Sequence, residues 1–428
     1  MRSVPAVRRA RASIAVQLAA LLFVRQSCAH SSTPASESWI RTWGVPMQAP
    51  DALDYFPDGA KTFHDVTLRQ VIRSTLGGDH LRIWVSNEFG NRPLEIGIAG
   101  VAHSATEGAN SSGTSTILTF SGRRSIVVPV GTRVVSDPVQ FSVEPLSKVM
   151  ISFYLPHSTV GAIATTHPDG RQTGYISSIG DYTASDIFPA ADIVHSYFFL
   201  TGVDVASSSP ASTIIALGDS ITDSTGSTPD TDGRWPDRLA NRLNGNANNR
   251  LSVLNMGLSG NRLLRNFLGP SALSRFDRDV TAIPNVRYLI VLEGINDIAI
   301  PTWTGRADED VTADDLIGAL QQIIFRAHQH GIRALVATLT PSGGCKDPGY
   351  DTPVGEQKRL AVNHWIRDQI LADAVLDFDK VLRDPDYPER LLPKYDSGDH
   401  LHPNDSGYTA MAASIDLSVF ARLRGLSK

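Results

Sequence analysis

The pattern of apolar residues changes near the middle of the chain, and this change constrains the fold more than any other feature. Before residue 205, short apolar runs alternate with polar residues at the period of two that half-buried strands show, as in HLRIWVSNEF at 80–89. Turn residues separate these runs, and no long stretch has a helical period. We therefore predict an all-β accessory domain over residues 35–205, a β-sandwich or jelly-roll.

After residue 211, apolar runs alternate with helical segments. Between the two patterns lies DVASSSPAS, at 204–212, whose serines and proline indicate a linker. The predicted strands are Thr213–Leu217, Leu251–Asn255, Tyr288–Leu292, Ala334–Leu339 and Ala374–Phe378. The predicted helices are Trp235–Leu243, Ser271–Val280, Ala313–His330 and Gly355–Leu371. This alternation predicts an α/β domain over residues 211–428 with a parallel sheet, and a site at the carboxyl ends of its strands.

The first residues have the composition of an export signal. Arginines precede an apolar run, Ile14–Val24, and Ser27-x-Ala29 supplies the small residues of a cleavage site. The run is too short to span a bilayer. We therefore predict a cleaved signal peptide over residues 1–29, a secreted or periplasmic protein, and no stable membrane insertion. An uncleaved anchor is the alternative.

Net charge and cysteine content limit the possible partners and the possible disulfide bonds. The formal net charge is -5 and the isoelectric point is near 6.2, which argues against nucleic acid as a partner. The cysteines are Cys28, inside the predicted signal, and Cys345, in a loop rich in turn residues. Removal of the signal leaves Cys345 without a partner for an intramolecular disulfide, so we expect the fold to depend on its apolar core.

Reactive side chains follow the ends of the predicted strands. Ser220 follows the first strand, Gly260 the second and Asn296 the third, while Asp399 and His402 precede the last helix. A serine needs a base, which His402 supplies, and Asp399 can hold the imidazole in one tautomer. The backbone N–H groups of Ser220 and Gly260, with the amide of Asn296, can form an oxyanion hole. Such chemistry requires no metal or organic cofactor.

These segments together resemble the SGNH, or GDSL, hydrolase family. Its Ser, Gly, Asn and His residues fall on Ser220, Gly260, Asn296 and His402, and Asp399 completes the family's D-x-x-H, in the family's order over residues 213–410. The sequence lacks a G-x-S-x-G elbow, so the α/β-hydrolase superfamily is not the match. The phrases RWPDRLANRL, GLSGNRLL, RFDRDV, LEGINDI and YDSGDHLHPNDSGY resemble a branch of secreted esterases found beside xylan-degrading genes.

The resemblance implies a flavodoxin-like three-layer α/β/α fold and an ester hydrolase, often a carbohydrate deacetylase. We therefore expect a secreted serine esterase that removes short acyl groups, acetyl first, from carbohydrate esters. Two other functions remain open. One is a lipase or thioesterase that acts on lipid esters with the same machinery, and the other is a non-catalytic glycan-binding protein.

Several residues admit more than one interpretation. His400, His402, Asp399 and Asp405 are a candidate metal cluster, although that leaves the serine unexplained. Tryptophans could form a sugar-binding platform, although packing residues are the commoner case. These tryptophans are Trp39, Trp43 and Trp84. Trp235, on a predicted helix, is a separate candidate to line a sugar site, although a helix tryptophan is more often a core residue.

Overall fold

The computed structural model describes residues 1, 38–51, 55–105, 108–207, 209–244 and 250–424. Apart from Met1, the predicted signal peptide, with Cys28, lies outside the described residues. Residues Glu37–Lys428 form one compact unit, and the proposed boundary between two domains near residue 205 stays a prediction. Among the described residues, every helix is too short or too polar to cross a membrane.

The N-terminal region is built from antiparallel strands. They are β1 (Ser38–Gly44), β2 (Val66–Arg73), β3 (Gly78–Ser86), β4 (Leu94–Ile96), β5 (Ile98–His103), β6 (Thr116–Leu118), β7 (Ile126–Val128), β8 (Arg133–Val135), β9 (Val139–Val143), β10 (Lys148–Leu155), β11 (Thr166–His167), β12 (Gly174–Ile179), β13 (Ala190–Val194), β14 (Tyr197–Phe198) and β15 (Leu200–Ser207). One sheet has the order β1-β15-β3-β8, with β9 also paired to β3, and another has the order β13-β12-β2-β10-β5-β6.

The two large sheets of this region share one apolar core. Ile83 and Val85 of β3 belong to the same buried cluster as Ile151 and Phe153 of β10. Alternate residues of a strand point to the same face, so the period of two in the sequence directs each sheet's apolar face inward. The strand-rich N-terminal region is therefore confirmed, whereas the jelly-roll connectivity stays a prediction.

The C-terminal region is a parallel sheet with helices. Its strands are β16 (Ser212–Gly218), β17 (Leu251–Gly257), β18 (Val286–Leu292), β19 (Arg333–Ala337) and β20 (Ala374–Leu376). Its helices are α1 (Ser220–Asp223), α2 (Trp235–Asn244), α3 (Ala272–Phe276), α4 (Ile295–Thr304), α5 (Ala313–Gln329), α6 (Pro353–Asp368), α7 (Phe378–Leu382), α8 (Asp405–Ser414) and α9 (Ser418–Arg424). The strand order β17-β16-β18-β19-β20 is the doubly wound order of flavodoxin, whose switch point lies between β16 and β18.

Helices cover both faces of the parallel sheet. Ile214 and Ala216 of β16 belong to one buried cluster, with residues of α2 and α8. Ile215 and Leu217 belong to another, with residues of α3, α5 and α6. A strand that is buried on both faces has a continuous apolar sequence, and this explains the run IIAL at 214–217. The predicted α/β architecture is confirmed.

The predicted linker is mostly strand, which corrects the sequence analysis. Strand β15 continues to Ser207, and β16 begins at Ser212. Val205 pairs with Ile40 on one side and Leu81 on the other, so the run of small residues is held in the middle of a sheet. Serine content alone therefore misplaced the end of the strand.

Candidate active site

A tight turn at the end of β16 presents Ser220. Asp219 caps α1, because its carboxylate accepts the N–H of Ile221 at 2.9 Å. Gly218 leaves no room for a side chain, since a Cβ there would lie 2.5 Å from the carbonyl oxygen of Leu292. The serine side chain is largely buried, with 7% of the residue exposed, just beyond the carboxyl end of β16.

Ser220, His402 and Asp399 form a continuous hydrogen-bonded chain. His402 Nδ1 lies 2.6 Å from Asp399 Oδ2, and His402 Nε2 lies 2.8 Å from Ser220 Oγ. The carboxylate only accepts, so Nδ1 carries the proton and Nε2 is the acceptor for the serine hydroxyl. The backbone N–H groups of Leu401 and His402 also donate to Asp399 Oδ1, at 2.9 and 2.8 Å.

These contacts keep Asp399 ionised. Burial by itself would raise the pKa of Asp399, but the hydrogen bonds and positive charge of His402 outweigh it and hold that pKa well below its usual range. The carboxylate can therefore stabilise an imidazolium at every pH where an esterase works.

Three N–H donors of the predicted oxyanion hole belong to residues that line one cleft, Ser220, Gly260 and Asn296. The Ser220 and Gly260 amides are two of them, and within the described residues neither donates a hydrogen bond to another protein group. The third, the Asn296 side chain, begins α4 after β18. Gly260 has a φ of +75°, and a Cβ there would lie 2.3 Å from Leu268 Cδ1. Glycine is thus required by backbone conformation and by packing.

Two contacts orient the Asn296 amide. Its Nδ2 donates to the carbonyl oxygen of Asn261 at 2.8 Å, and its Oδ1 accepts from the Tyr350 hydroxyl at 2.5 Å. Burial raises the pKa of Tyr350 well above its usual value, so the phenol stays a neutral donor. The second N–H of Asn296 is left for a ligand. The sequence analysis missed Tyr350, which lies in a loop with no motif of its own.

The cleft above Ser220 combines both regions of the chain. It has an open volume of about 460 Å³ and includes Tyr55 and Phe56 from the N-terminal region and Trp303 from α4. The rings of Tyr55 and Trp303 meet edge to face with centroids 5.7 Å apart. Sequence reasoning missed all three aromatic residues. Trp303 stands seven residues after Asn296, two helical turns along the same face, and that spacing could have identified it.

Arg275 ties the strand ends together below the site. It is fully buried and donates to the carbonyl oxygens of Gly218 and Met256, at 2.9 and 2.8 Å, and to Asn261 Oδ1 at 2.9 Å. Gly218 and Met256 lie at the ends of β16 and β17, and Asn261 follows Gly260. Arg275 therefore fixes the spacing between the nucleophile turn and the oxyanion-hole loop. It lies in the RFDRDV phrase, which by itself indicated no role.

Buried carboxylates accompany this arginine. Burial raises the pKa of Asp219 to about 7 and that of Asp297 to about 6. Burial also raises the pKa of Glu293 well above its usual value, and its Oε2 lies 3.9 Å from an Arg275 nitrogen. Asp297 accepts the N–H of Leu263 at 2.6 Å. Asp219 and Asp297 accept backbone N–H groups of the segments around Ser220 and Gly260, and none of the three carboxylates is among the residues that line the described cleft.

The remaining candidate residues have other partners. His400 Nδ1 lies 2.5 Å from Asp396 Oδ2, and Asp405 accepts the N–H of Thr228 at 2.9 Å. Cys345 is buried, and burial raises the pKa of its thiol to about 11. Trp235 is fully buried against Phe378, with ring centroids 5.6 Å apart.

The tryptophans of the N-terminal region lie within its packing. Trp43 is buried against Tyr197, and the Trp84 indole donates to Asp204 Oδ2 at 2.7 Å. The Arg82 guanidinium lies over the Trp39 ring, 4.4 Å from its centroid. None of these three tryptophans lines the described cleft above Ser220.

Residues 216–410 match the model of the GDSL-like lipase/acylhydrolase family. This match confirms, over these residues, the resemblance that the sequence motifs indicate. The match supports an ester hydrolase, as the resemblance predicted. The N-terminal strand-rich region lies outside the matched residues. No curated protein sequence matches the chain.

The chain also aligns with solved structures over about half of its length. A G-D-S-L family protein from Desulfitobacterium hafniense is 23% identical, with 50% of this chain and 99% of that chain covered and a TM-score of 0.35. The aryl esterase of M. smegmatis is 17% identical, with 51% and 100% covered and a TM-score of 0.38. Est24, a carbohydrate acetylesterase from Sinorhizobium meliloti, is 15% identical, with 50% and 100% covered and a TM-score of 0.38.

Proposed function

We propose that this ester hydrolase removes short acyl groups, acetyl first, from carbohydrate esters, with Ser220 as nucleophile, His402 as base and Asp399 as the residue that orients it. The observation that carries the proposal is the hydrogen-bonded chain from Ser220 Oγ through His402 to Asp399, beside N–H donors that are free for a ligand. A hydroxyl that donates to an acceptor imidazole nitrogen is ready to lose its proton as it attacks.

In the first half of the reaction, Ser220 Oγ bonds to the acyl carbon while His402 Nε2 takes its proton. The carbonyl oxygen becomes an oxyanion that the Gly260 and Ser220 amides and the Asn296 side chain stabilise. The bond to the sugar oxygen then breaks, and His402 returns its proton to that leaving oxygen. In the second half, water gives a proton to His402 as it attacks the acyl-enzyme, and Ser220 leaves with that proton. The carboxylic acid is released.

The lining of the cleft supports a small ester substrate whose alcohol part is a sugar ring. Its walls combine aromatic residues, Tyr55, Phe56 and Trp303, with polar groups at Asp347 and Thr225. Apolar walls with a few placed polar groups are typical of sites for small molecules. The carbohydrate part of the proposal rests on this lining and on the resemblance to secreted esterases. Export through the predicted signal peptide belongs to the same proposal.

The test is acetate release from acetylated xylan by residues 30–428, with Ser220→Ala and the exposed-serine control Ser406→Ala alongside. Release that is lost only in Ser220→Ala supports the proposal. Aryl esters of increasing chain length then define the acyl group. Hydrolysis of short aryl esters through Ser220 without release from any acylated glycan would exclude the carbohydrate substrate, and a preference for long acyl chains would favour lipid esters instead.

A further inference from the structure

A buried histidine of the N-terminal region contacts the helix that carries the nucleophile. His167, on β11, has 1% of its side chain exposed, and its Nε2 lies 3.2 Å from Asp223 Oδ1 at the end of α1. Its Nδ1 lies 3.0 Å from the carbonyl oxygen of Pro46. A carbonyl only accepts, so Nδ1 carries a proton, and a second proton lies between Nε2 and the carboxylate. The contact is thus a buried hydrogen bond that is charge-assisted when the shared proton stays on the imidazole.

The same carboxylate holds the loop that supplies the oxyanion donor. Asp223 Oδ2 accepts the hydroxyl of Ser259 at 2.9 Å and its backbone N–H at 3.2 Å. Ser259 is the residue before Gly260. Asp223 is three residues after Ser220, so one side chain joins the nucleophile helix, the oxyanion-hole loop and the N-terminal region.

A second contact from the N-terminal region reaches the same loop. Asp169 Oδ2 accepts the Thr225 hydroxyl at 2.8 Å and lies 3.4 Å from the Ser259 hydroxyl. The Thr225 and Ser259 hydroxyls are 3.1 Å apart. His167 at the end of β11 and Asp169, two residues later, therefore both act on Ser259, the first through Asp223 and the second directly.

We propose that the N-terminal region is a working part of the active site, in which His167 and Asp169 position the Ser259–Gly260 segment so that the Gly260 amide faces the developing oxyanion. The family match covers residues 216–410 and assigns this region nothing. The inference rests on the proposed role of Gly260 in ester hydrolysis, but not on the identity of the natural ester.

Contacts other than that of His167 also join the N-terminal and C-terminal regions. At the opposite, amino end of the parallel sheet, Asn244 Nδ2 donates to the carbonyl oxygen of Thr75 at 2.9 Å, and the hydroxyls of Thr75 and Ser252 are 2.9 Å apart. These contacts join the same two regions far from the cleft. Asn244→Ala is therefore a matched control that weakens the interface without touching the oxyanion-hole loop.

The experiment compares His167→Phe, His167→Gln and Asn244→Ala in the full mature chain, with a short aryl acetate as substrate. Misplacement of a catalytic group by about 1 Å can cost about 100-fold in rate. We expect His167→Phe to lower kcat about 10- to 100-fold with KM changed less than twofold. His167→Gln, which restores one N–H toward Asp223, should recover at least part of that loss. Asn244→Ala should keep wild-type kcat.

A kcat for folded His167→Phe within twofold of wild type would overturn the proposal, as would an equal loss of kcat in Asn244→Ala. If His167→Phe does not fold, Asp169→Ala decides. Asp169 has 15% of its side chain exposed, and its loss should lower kcat several-fold at unchanged KM. Wild-type kcat there refutes the inference. Failure of the carbohydrate proposal would be distinguishable, because it is measured as acyl release from acylated glycans by wild type and Ser220→Ala, and not as kcat on an aryl acetate.

Discussion

Replacement of Gly260 by alanine tests the oxyanion-hole geometry, because the new side chain strains the backbone and collides with Leu268. A φ of +75° costs a residue with a side chain about 1–2 kcal/mol. The new Cβ would also lie 2.3 Å from Leu268 Cδ1 and 2.9 Å from Leu268 Cβ, so the leucine or the loop must move. Overpacking of this kind costs about 1–3 kcal/mol. We expect Gly260→Ala to lower the free energy of unfolding by about 2–5 kcal/mol.

Movement of the loop also displaces the Gly260 backbone N–H from the oxyanion hole, so kcat should fall as well. Loss of one oxyanion-hole donor typically costs about 10²–10³ in kcat. The assay is kcat on a short aryl acetate, with urea unfolding on the same samples. Combination with Leu268→Ala removes the collision with Leu268 Cδ1 but keeps the 2.9 Å approach to Cβ and the φ strain, so the double variant should regain only part of the stability that Gly260→Ala loses.

Gly331→Ala is the matched control. Gly331 has a φ of +69°, nothing lies within 4 Å of its Cβ position, and it follows α5 away from the cleft. It should lose about 1–2 kcal/mol of stability with kcat unchanged. Wild-type kcat and stability in Gly260→Ala would refute the reasoning, because both the strain and the displaced donor would then be absent.

Other predictions concern the groups around the nucleophile. Tyr350→Phe removes the hydroxyl that holds Asn296 Oδ1 and should lower kcat about tenfold or more, with KM measured in parallel to show a smaller change. Asp399→Asn should lower kcat about 10³- to 10⁴-fold because His402 loses its orienting carboxylate, and unchanged circular dichroism would separate this from unfolding. Burial raises the pKa of Asp219 from 3.8 to about 7, so the folded protein binds a proton that the unfolded chain has released, and stability falls as the pH rises from about 4 to 7. Asp219→Asn should flatten that slope, which is at most about 1.4 kcal/mol per pH unit for one group, in urea unfolding at several pH values. An unchanged slope would contradict the buried-carboxylate assignment.

The sequence predicts the parts of the fold that local pattern controls. Helix α5 matches the predicted segment 313–330 because its buried residues repeat at the helical period and Gly331 ends it in a left-handed conformation. The chain of Ser220, His402 and Asp399 follows from two motifs, the serine after β16, at the edge of the sheet where such sites form, and the D-x-x-H before α8.

The rest depends on contacts between distant segments. Tyr350 reaches Asn296 from a loop 54 residues away, and Asp223 meets His167 across 56 residues. No local periodicity encodes such pairs. Tyr55 lies in a region whose strand pattern predicts only an accessory module, yet it lines the cleft. The segment at 204–207 looked like a linker because strand pairing on both sides, which its composition does not reveal, holds it in a sheet.

The most direct test of the account is to locate the nucleophile by covalent trapping. The mature chain is inactivated with a serine-directed organophosphonate, and the modified peptide is identified by mass spectrometry. The account predicts one adduct, on Ser220, whose formation parallels the loss of aryl acetate hydrolysis and is abolished in Ser220→Ala. Inactivation with the adduct on another residue, or full labelling of Ser220 with activity retained, would contradict it.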